Sequence, residues 1–303
     1  MSYLPDCLDK LFKQSFTDFK IIVIDNASKD GSPEFVEQHY PTALVIRNQC
    51  NEGFCRAHNQ AIRLSKAEYI MPLNPDVLLE PTYLQTLLDA LIKYKEAGIA
   101  VGKLYLLPER DILDGAGLAI NKARRQYLRG HLQKDDGRFD TLEYIFGADG
   151  SAPLYRREML EDIKLEGDYF DEDFFAHKED LDLSWRAQLF GWKCIYVPTA
   201  IAYHYRSFRP GLRGRMSSEV KLHAVKNRYL AVLKNEFFSN FFLHLPWIIF
   251  YELKILGYIC LFERSSLAAF SDLFRLLPSA LRKRRSIMKR KRVTASYIRG
   301  LIQ

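Results

Sequence analysis

Two short acidic motifs contain the side chains best suited to chemistry. Asn74-Pro75-Asp76 follows an apolar run, and Glu179-Asp180 opens an amphipathic segment much later in the chain. An apolar run that ends in a carboxylate is typical of a buried strand whose acid lies at the carboxyl edge of a sheet, where open α/β folds bind ligands. One acid that binds a metal ion and another that removes a proton are the minimum needed to transfer a group from a nucleotide diphosphate.

The elements that must position these acids alternate between strand and helix. This alternation predicts an α/β fold with a Rossmann-like, mostly parallel sheet flanked by helices. The predicted helices cover residues 8–16, 33–40, 55–66 and 81–97, and the predicted strands cover residues 20–26, 44–46 and 69–73.

The second half of the chain changes character twice. Residues 101–149 predict short strands and polar loops, and a helix at 179–190 precedes a strand at 192–198 that leads on to His204. Beyond residue 217 the pattern predicts only helices. We therefore expect a sheet domain at residues 1–215 and a helical, aromatic and basic extension at residues 216–303.

The distribution of charge, the cysteine content and the apolar stretches indicate where in the cell the protein is expected. The net charge is +7, but the segment from Arg264 onward contains eleven Lys/Arg and one Asp, so the basicity belongs to the tail. The five cysteines are odd in number and lack C-x-x-C spacing, which favours reduced thiols in the cytoplasm. The longest uncharged apolar stretch, 237–251, is shorter than the roughly 20 residues of a membrane-spanning helix, so we expect no simple span.

Four segments stand out in a fixed order: IIVIDNASKDGS, RNQCNEGFCRAHNQAI, YIMPLNPDVLLEP and FFAHKEDLDLSWRAQLFGWKCIYVP. They resemble glycosyltransferase family 2, which has the GT-A fold, and more narrowly its bacterial rhamnosyltransferase-like branch. The resemblance covers residues 3–235. It implies an inverting transferase that uses a nucleotide-sugar donor and Mg²⁺ or Mn²⁺.

The resemblance assigns donor-binding roles near the amino end. Asp25 matches the family's contact to the nucleobase, although an Asp at the end of a strand also commonly caps the next turn. Asn51, Gly53 and Asn59 match a helix-start motif beside the donor diphosphate. A helix N-terminus and Arg56 would favour phosphate charge there, whereas Asn-x-Gly alone indicates only a turn.

The same comparison assigns the metal site. Asn74 and Asp76 occupy the position of the family's Asp-x-Asp motif, with Asn in the first place. One carboxylate together with the donor diphosphate is sufficient for Mg²⁺ or Mn²⁺. His204 matches a histidine that completes the metal site in related enzymes, but a histidine between aromatic residues is also typical of packing.

Glu179 and Asp180 match the family's catalytic motif. The resemblance implies that Asp180 removes the proton from the acceptor hydroxyl, while Glu179 orients the acceptor or the base. Acids also favour helix N-termini, which explains one of them without any catalytic role. Gly147, Ala148 and Asp149 resemble the family's acceptor-side turn.

The aromatic and basic extension predicts contact with an anionic membrane surface, at the cytoplasmic face of the cell membrane and without spanning it. A charged helix packed on the domain explains the same pattern, and we expect no nucleic acid partner. The acceptor is expected to be lipid-linked or a polysaccharide, and the sugar to be L-rhamnose from its dTDP form.

One departure from the family concerns its first strand, which is absent from the printed sequence. We therefore expect an unpaired sheet edge beside Ile21–Ile24. Two other functions remain open at this point. A nucleotidyltransferase would use a similar sheet, and a degenerate, non-catalytic membrane-bound scaffold would tolerate the missing strand.

Overall fold

The computed structural model describes residues 1–206 and 216–303. Residue 215, where the domain boundary was expected, is not among the described residues. The first half contains these elements in order: α1 (Leu4–Phe12), β1 (Ile22–Asp25), α2 (Ser32–His39), β2 (Leu44–Arg47), α3 (Gly53–Leu64), β3 (Tyr69–Ile70), β4 (Val77–Leu79) and α4 (Tyr83–Lys93).

The second half begins with the long strand β5 and ends in helices. Its elements are β5 (Ala97–Leu106), β6 (Leu113–Gly115), β7 (Leu118–Ile120), β8 (Gln126–Leu128), β9 (Glu143–Ile145), β10 (Leu154–Arg156), α5 (Arg157–Ile163), α6 (Glu179–Leu189), β11 (Lys193–His204), α7 (Ser218–Asn235), α8 (Phe238–Leu243), α9 (Leu245–Phe262), α10 (Ala268–Arg290) and α11 (Ala295–Leu301).

The α/β class is confirmed, but the larger sheet is mixed rather than mostly parallel. Its main path runs β3-β10-β5-β11-β4, and only the β5–β11 pair in that path is parallel. β1 and β2 pair in parallel as a separate two-stranded sheet. Within the described residues β1 has no second neighbour, which leaves the edge expected to be open without a strand partner.

Two strands, β5 and β11, form the centre of the core. Both are buried along most of their length, and one hydrophobic cluster lies on each side of the sheet. β5 begins at Ala97, the last residue of the segment predicted as helix. This strand is buried on both faces and continuously apolar, so its sequence lacks the period of two that would have indicated a strand.

Two helices, α1 and α3, begin earlier in the chain than predicted, because of residues in or just before their first turns. α3 begins two residues earlier than predicted, because Asn51 Oδ1 accepts a hydrogen bond from the Gly53 N–H at 3.0 Å and Gly53 takes φ +80°. α1 begins at Leu4, where Pro5 suits a first turn that needs no N–H donor.

The basic run of α10 packs largely against the sheet domain. Arg282 pairs with Glu166, Lys283 lies 2.5 Å from Asp171 and 2.6 Å from Asp173, and Arg290 donates to the Lys164 carbonyl at 3.0 Å. These residues therefore contact the domain, two of them through carboxylates of which only Asp171 is buried. That the run also faces lipid stays a prediction.

Helix α9 is longer than the apolar stretch identified in the sequence. It has 18 residues, a mean hydropathy of 1.6 and only 11% of its residues buried. By length and composition alone it is the one helix in the described part of the chain that could cross a membrane. Ile248 and Ile259 are buried, whereas Phe250, Leu253 and Phe262 are exposed.

Candidate active site

The pairing of β4 with β11 brings the two predicted metal ligands together. Val77 lies opposite His204 in the antiparallel register, and Tyr205 N–H donates to the Asp76 carbonyl at 2.9 Å. As a result, Asp76 Oδ1 lies 3.3 Å from His204 Nε2. Asp76 precedes β4 instead of ending β3, which corrects the strand position predicted for it.

Two residues that the sequence did not indicate support this pair. Asp114 Oδ2 lies 2.8 Å from His204 Nδ1, and Arg206 Nη2 donates to the same oxygen at 2.9 Å. Burial alone would raise the pKa of Asp114, but the hydrogen bonds from His204 and Arg206 outweigh it and lower that pKa to about 2. A carboxylate behind a histidine is the usual arrangement that orients a metal-binding imidazole.

His204 itself is buried between two carboxylates. Its burial would lower the pKa of the imidazole, but hydrogen bonds to Asp114 and Asp76 raise that pKa to about 9. Among residues 1–206 and 216–303, no group of three or more His, Cys, Asp or Glu side chains is arranged to hold a metal ion. Asp76 and His204 are thus the two side chains that could hold a metal ion here, and binding would require His204 to lose the proton that its hydrogen bond to Asp76 favours.

The turn at residues 147–151 connects this cluster to the second acidic motif. Asp149 Oδ2 accepts hydrogen bonds from Ser151 Oγ at 2.7 Å and Arg206 Nη2 at 3.3 Å, and Asn74 N–H donates to the Ser151 carbonyl at 2.9 Å. A methyl group on Gly150 would lie 3.5 Å from Glu179 Oε1.

The remaining members of the turn are tightly packed on α6. Ala148 is fully buried and its N–H donates to Ser184 Oγ at 3.3 Å, while a methyl group on Gly147 would lie 2.4 Å from the Ser184 side chain. Only glycine therefore fits at position 147. The predicted acceptor-side turn lies directly beside the helix that begins with the acidic pair.

Glu179 and Asp180 are both buried but have different surroundings. Asp180 accepts hydrogen bonds from the Leu181 N–H at 2.7 Å and from Gln126 Nε2 at 3.2 Å. Glu179 Oε2 has no hydrogen-bond partner in the described structure. Hydrogen bonds stabilise the ionised form of a carboxyl group, so the arrangement favours charge on Asp180.

The pKa values follow from burial and from mutual repulsion. Burial and the neighbouring Asp180 raise the pKa of Glu179 to about 8. Burial also raises the pKa of Asp180, while the Leu181 N–H and Gln126 oppose that rise. Both carboxyl groups therefore have raised pKa values, and the hydrogen bonds to Asp180 favour the ionised form on that side of the pair.

The loop before these acids has an unusual backbone. Phe175, His177 and Lys178 all have φ between 64° and 68°, a region that costs roughly 1–2 kcal/mol for residues with a side chain. Asn227 on α7 holds this loop, since its Nδ2 donates to the carbonyls of Phe174, Ala176 and His177 at 2.8, 2.8 and 2.6 Å.

Buried ion pairs strengthen the same contact between α7 and the domain. Lys234 lies 2.8 Å from Asp182 and also pairs with Asp171. Asn235 Nδ2 donates to Asp182 Oδ1 at 2.8 Å. The C-terminal helices are therefore part of the structure that positions the acidic pair.

The predicted donor-binding residues lie along the adjoining side of the site. Gly53 contacts the loop before α6, because a methyl group on it would lie 2.6 Å from the ring of Phe175. Asn26 Nδ2 donates to the Gly53 carbonyl at 3.3 Å, which connects the end of β1 to the start of α3. Asp25, at that strand end, accepts from the Ser28 N–H at 3.2 Å.

Two other predicted donor residues have protein partners. Arg56 lies 2.7 Å from Glu52 and remains half exposed. Asn59 is fully buried and exchanges two hydrogen bonds with the backbone of Phe170, at 2.8 and 2.9 Å. Its amide holds the segment that leads to the acidic pair, and the donor role assigned to it stays a prediction.

Four contributors to the site were missed in the sequence: Asp114, Gln126, Arg206 and Asn227. Asp114 lies in a short strand and Gln126 begins another, so neither belongs to a recognisable motif. Asn227 carries the one available signal, which is a polar side chain at a buried position of a helix.

Solved structures define the class of fold. The chain matches a crystal structure of GalNAc-T7 with UDP, GalNAc and Mn²⁺ at a TM-score of 0.60 and 17% identity, over 77% of this chain and 45% of that one. It also matches residues 1–349 of S. aureus TarS at a TM-score of 0.57 and 16% identity, over 98% of this chain and 88% of that one. The architecture is the GT-A fold, as expected.

Sequence comparison defines the family. The family described as Glycosyl transferase family 2 matches residues 1–164, and this chain belongs to it. The protein is therefore a glycosyltransferase, which confirms the predicted enzyme class and leaves no support for a nucleotidyltransferase or a non-catalytic scaffold.

Two individual relatives share less than 30% sequence identity with this chain. N-acetylglucosaminyl-diphospho-decaprenol L-rhamnosyltransferase of Mycobacterium tuberculosis is 27% identical over 218 residues, which cover 63% of this chain and 68% of the relative. Glycosyltransferase GlyG of Streptococcus pneumoniae is 23% identical over 185 residues, which cover 58% of this chain and 60% of the relative.

Proposed function

We propose that this glycosyltransferase transfers a sugar from a nucleotide-sugar donor with inversion, and that Asp180 is its catalytic base. The acceptor hydroxyl oxygen would attack the anomeric carbon as the bond from that carbon to the diphosphate breaks. The acceptor proton would move to Asp180, and the nucleoside diphosphate would leave with the bonding electrons. The hydrogen bonds to Asp180, beside a Glu179 whose Oε2 atom has no partner among the described residues, are the observation that carries this assignment.

We propose Asp76 and His204 as the protein ligands of a divalent cation. Their side-chain atoms lie 3.3 Å apart, and Asp114 orients the imidazole from behind. Mg²⁺ or Mn²⁺ would neutralise charge on the departing diphosphate. Asn74, next to this pair, and the start of α3 with Asn51, Gly53 and Arg56 would contact the donor from the other side.

For the substrates we propose L-rhamnose from dTDP-rhamnose and a lipid-linked or polysaccharide acceptor in cell-surface glycan synthesis. The name of the mycobacterial relative supports this choice, because it describes rhamnosyl transfer to a diphosphate-linked lipid. The exposed apolar face of α9 also favours an acceptor that resides at a membrane.

We further propose that the protein is cytoplasmic and binds the inner face of the cell membrane through α9. Glu252, near the middle of α9, lies 2.5 Å from Arg228 of α7, so the helix packs along the domain on one side. A helix held in this way would lie in the interface with its opposite face in lipid. Lys122, over the ring of Trp247, would contact anionic headgroups.

Calorimetric titration of a nucleoside diphosphate, with Mn²⁺ and with a chelator, tests the donor and metal assignments. Asp76→Ala should abolish the metal-dependent part of binding, and His204→Ala should weaken it less, because Asp76 and the diphosphate carry most of the charge. Equal affinity in Mn²⁺ and in chelator would refute the metal site.

A further inference from the structure

A cavity of about 330 Å³ lies between α7 and α9, beside the start of α6. Three cationic side chains line it, those of Lys178, Arg228 and Lys254. Apolar and aromatic residues form the rest of the wall, which consists of Ala224, Val225, Tyr229, Tyr251, Ile255, Tyr258 and Ile259. A wall that combines cations with apolar and aromatic residues suits an amphiphile with an anionic head.

The described residues that line this cavity include cations and no acidic side chain. Glu252, outside the lining, lies 2.5 Å from Arg228, and Lys178 and Lys254 are the other two cations of the wall. Arg228 is buried, and its Nε atom has no hydrogen-bond partner within the described residues. A buried donor without a partner has a favourable interaction to gain from an anion.

The cavity adjoins the acidic pair through two side chains. Lys178 Nζ donates to Gln126 Oε1 at 3.4 Å, and Gln126 Nε2 donates to Asp180 at 3.2 Å. Lys178 is also the residue immediately before Glu179. An anionic group bound at Lys178 would therefore hold whatever is attached to it close to the proposed base.

The other end of the cavity continues into the exposed face of α9. Tyr258 lines the cavity and is 43% exposed, while Leu261 and Phe262 beyond it are 72% and 74% exposed. An apolar chain that leaves the cavity would follow this surface into lipid. Soluble proteins commonly expose single, scattered apolar residues, whereas the exposed apolar residues here lie next to one another.

We propose that this cavity binds the phosphate end of a lipid-linked acceptor, with a prenyl-like chain along α9 and its sugar directed toward Asp180. The inference rests on the proposed function, because it locates the acceptor for the same transfer. Lys254 on α9 and Lys178 just before α6 both line the cavity and provide the phosphate contacts.

Farnesyl diphosphate is a suitable probe, because it combines a phosphate head with a short prenyl chain. Its binding to the full chain should be measured by calorimetry in a metal-free buffer, so that the metal-dependent donor site does not hold the diphosphate. Farnesol, inorganic pyrophosphate and phosphatidylglycerol vesicles complete the set. We expect farnesyl diphosphate to bind at least tenfold more tightly than farnesol or pyrophosphate, and to bind equally well with the vesicles present.

Lys254→Gln should weaken farnesyl diphosphate binding about tenfold, the loss expected for one charge-assisted contact. The matched control is Arg275→Gln, which removes an exposed cation of α10 outside the cavity and should leave affinity unchanged. Equal binding of pyrophosphate would mean a simple anion site, and equal binding of farnesol an apolar groove. Competition by vesicles would mean a headgroup site. Each of these three results, or an unchanged affinity in Lys254→Gln, would overturn the proposal.

This test separates the inference from the proposed function, because it requires no turnover. Loss of binding in a chain that still transfers sugar would refute only the acceptor site. Binding of the probe by a chain without transferase activity would refute only the proposed reaction.

Discussion

Asn227 is expected to be needed for turnover although it lies outside the residues proposed to contact donor, metal or acceptor. Its amide nitrogen donates to three carbonyls of the loop that ends at Glu179, at 2.6 to 2.8 Å. Three residues of that loop have positive φ. At roughly 1–2 kcal/mol each, they store about 3–6 kcal/mol of strain that contacts such as these must outweigh.

Asn227→Ala would leave buried carbonyls without a donor, at a cost of about 1–3 kcal/mol for each group left unsatisfied. The three carbonyls share the two N–H hydrogens of the Asn227 amide, so the expected loss is about 2–6 kcal/mol. This is comparable to the stored strain, and the loop should leave its native conformation for much of the time. We expect kcat to fall at least tenfold while the Kd of the nucleotide changes less than threefold, because the donor side of the site does not contact Asn227.

Asn235→Ala is the matched control. Asn235 lies on the same helix, is buried and donates to Asp182, but it does not contact the loop. It should lower the melting temperature by a similar amount with a smaller effect on kcat. If the two variants lose kcat equally, or if Asn227→Ala keeps wild-type turnover, the positioning role of Asn227 is refuted.

Three further predictions concern the acidic pair and the start of α3. Gln126→Leu removes a hydrogen bond that lowers the pKa of Asp180, so the acid limb of the kcat/KM profile should move to higher pH; an unmoved limb would contradict this. The pKa of Glu179 is raised on folding, which destabilises the protein as pH rises toward 8. Glu179→Gln should therefore raise the melting temperature more at pH 8 than at pH 5, and a gain independent of pH would argue against a buried acid. Gly53→Ala and Gly31→Ala both place a side chain at positive φ, but only Gly53 faces a ring; chemical denaturation should show a larger loss for Gly53→Ala, and equal losses would exclude the steric contact.

Parts of the fold could be predicted because their signals are local. α6 follows from the acidic start at Glu179 and from Gly191, whose φ of +86° lies just beyond the helix. Strand β11 was predicted at residues 192–198 from its apolar content, whereas the structure continues it to His204. In contrast, the mixed pairing of the larger sheet depends on contacts between segments distant in sequence, and no local pattern reports them.

The site was predictable only where family motifs carried it. Asp76 and His204 are brought together by the register between β4 and β11, which confirms their proximity though not their role. Asp114 and Arg206 act through partners distant in sequence, so their types alone gave no signal. The protein contacts of the basic run could not be predicted, since charge composition does not reveal that Asp171 and Asp173 bind Lys283, and membrane contact by this run stays a prediction.

The central claim is that Asp180 is the base for sugar transfer. The most direct test is the single-turnover rate of Asp180→Asn with saturating donor and acceptor, measured beside its nucleotide affinity. We expect a rate lower by about 10²–10⁴-fold with a nearly unchanged Kd, because the amide keeps the shape of the carboxylate but cannot accept the proton. A rate within about threefold of wild type would rule out Asp180 as the base.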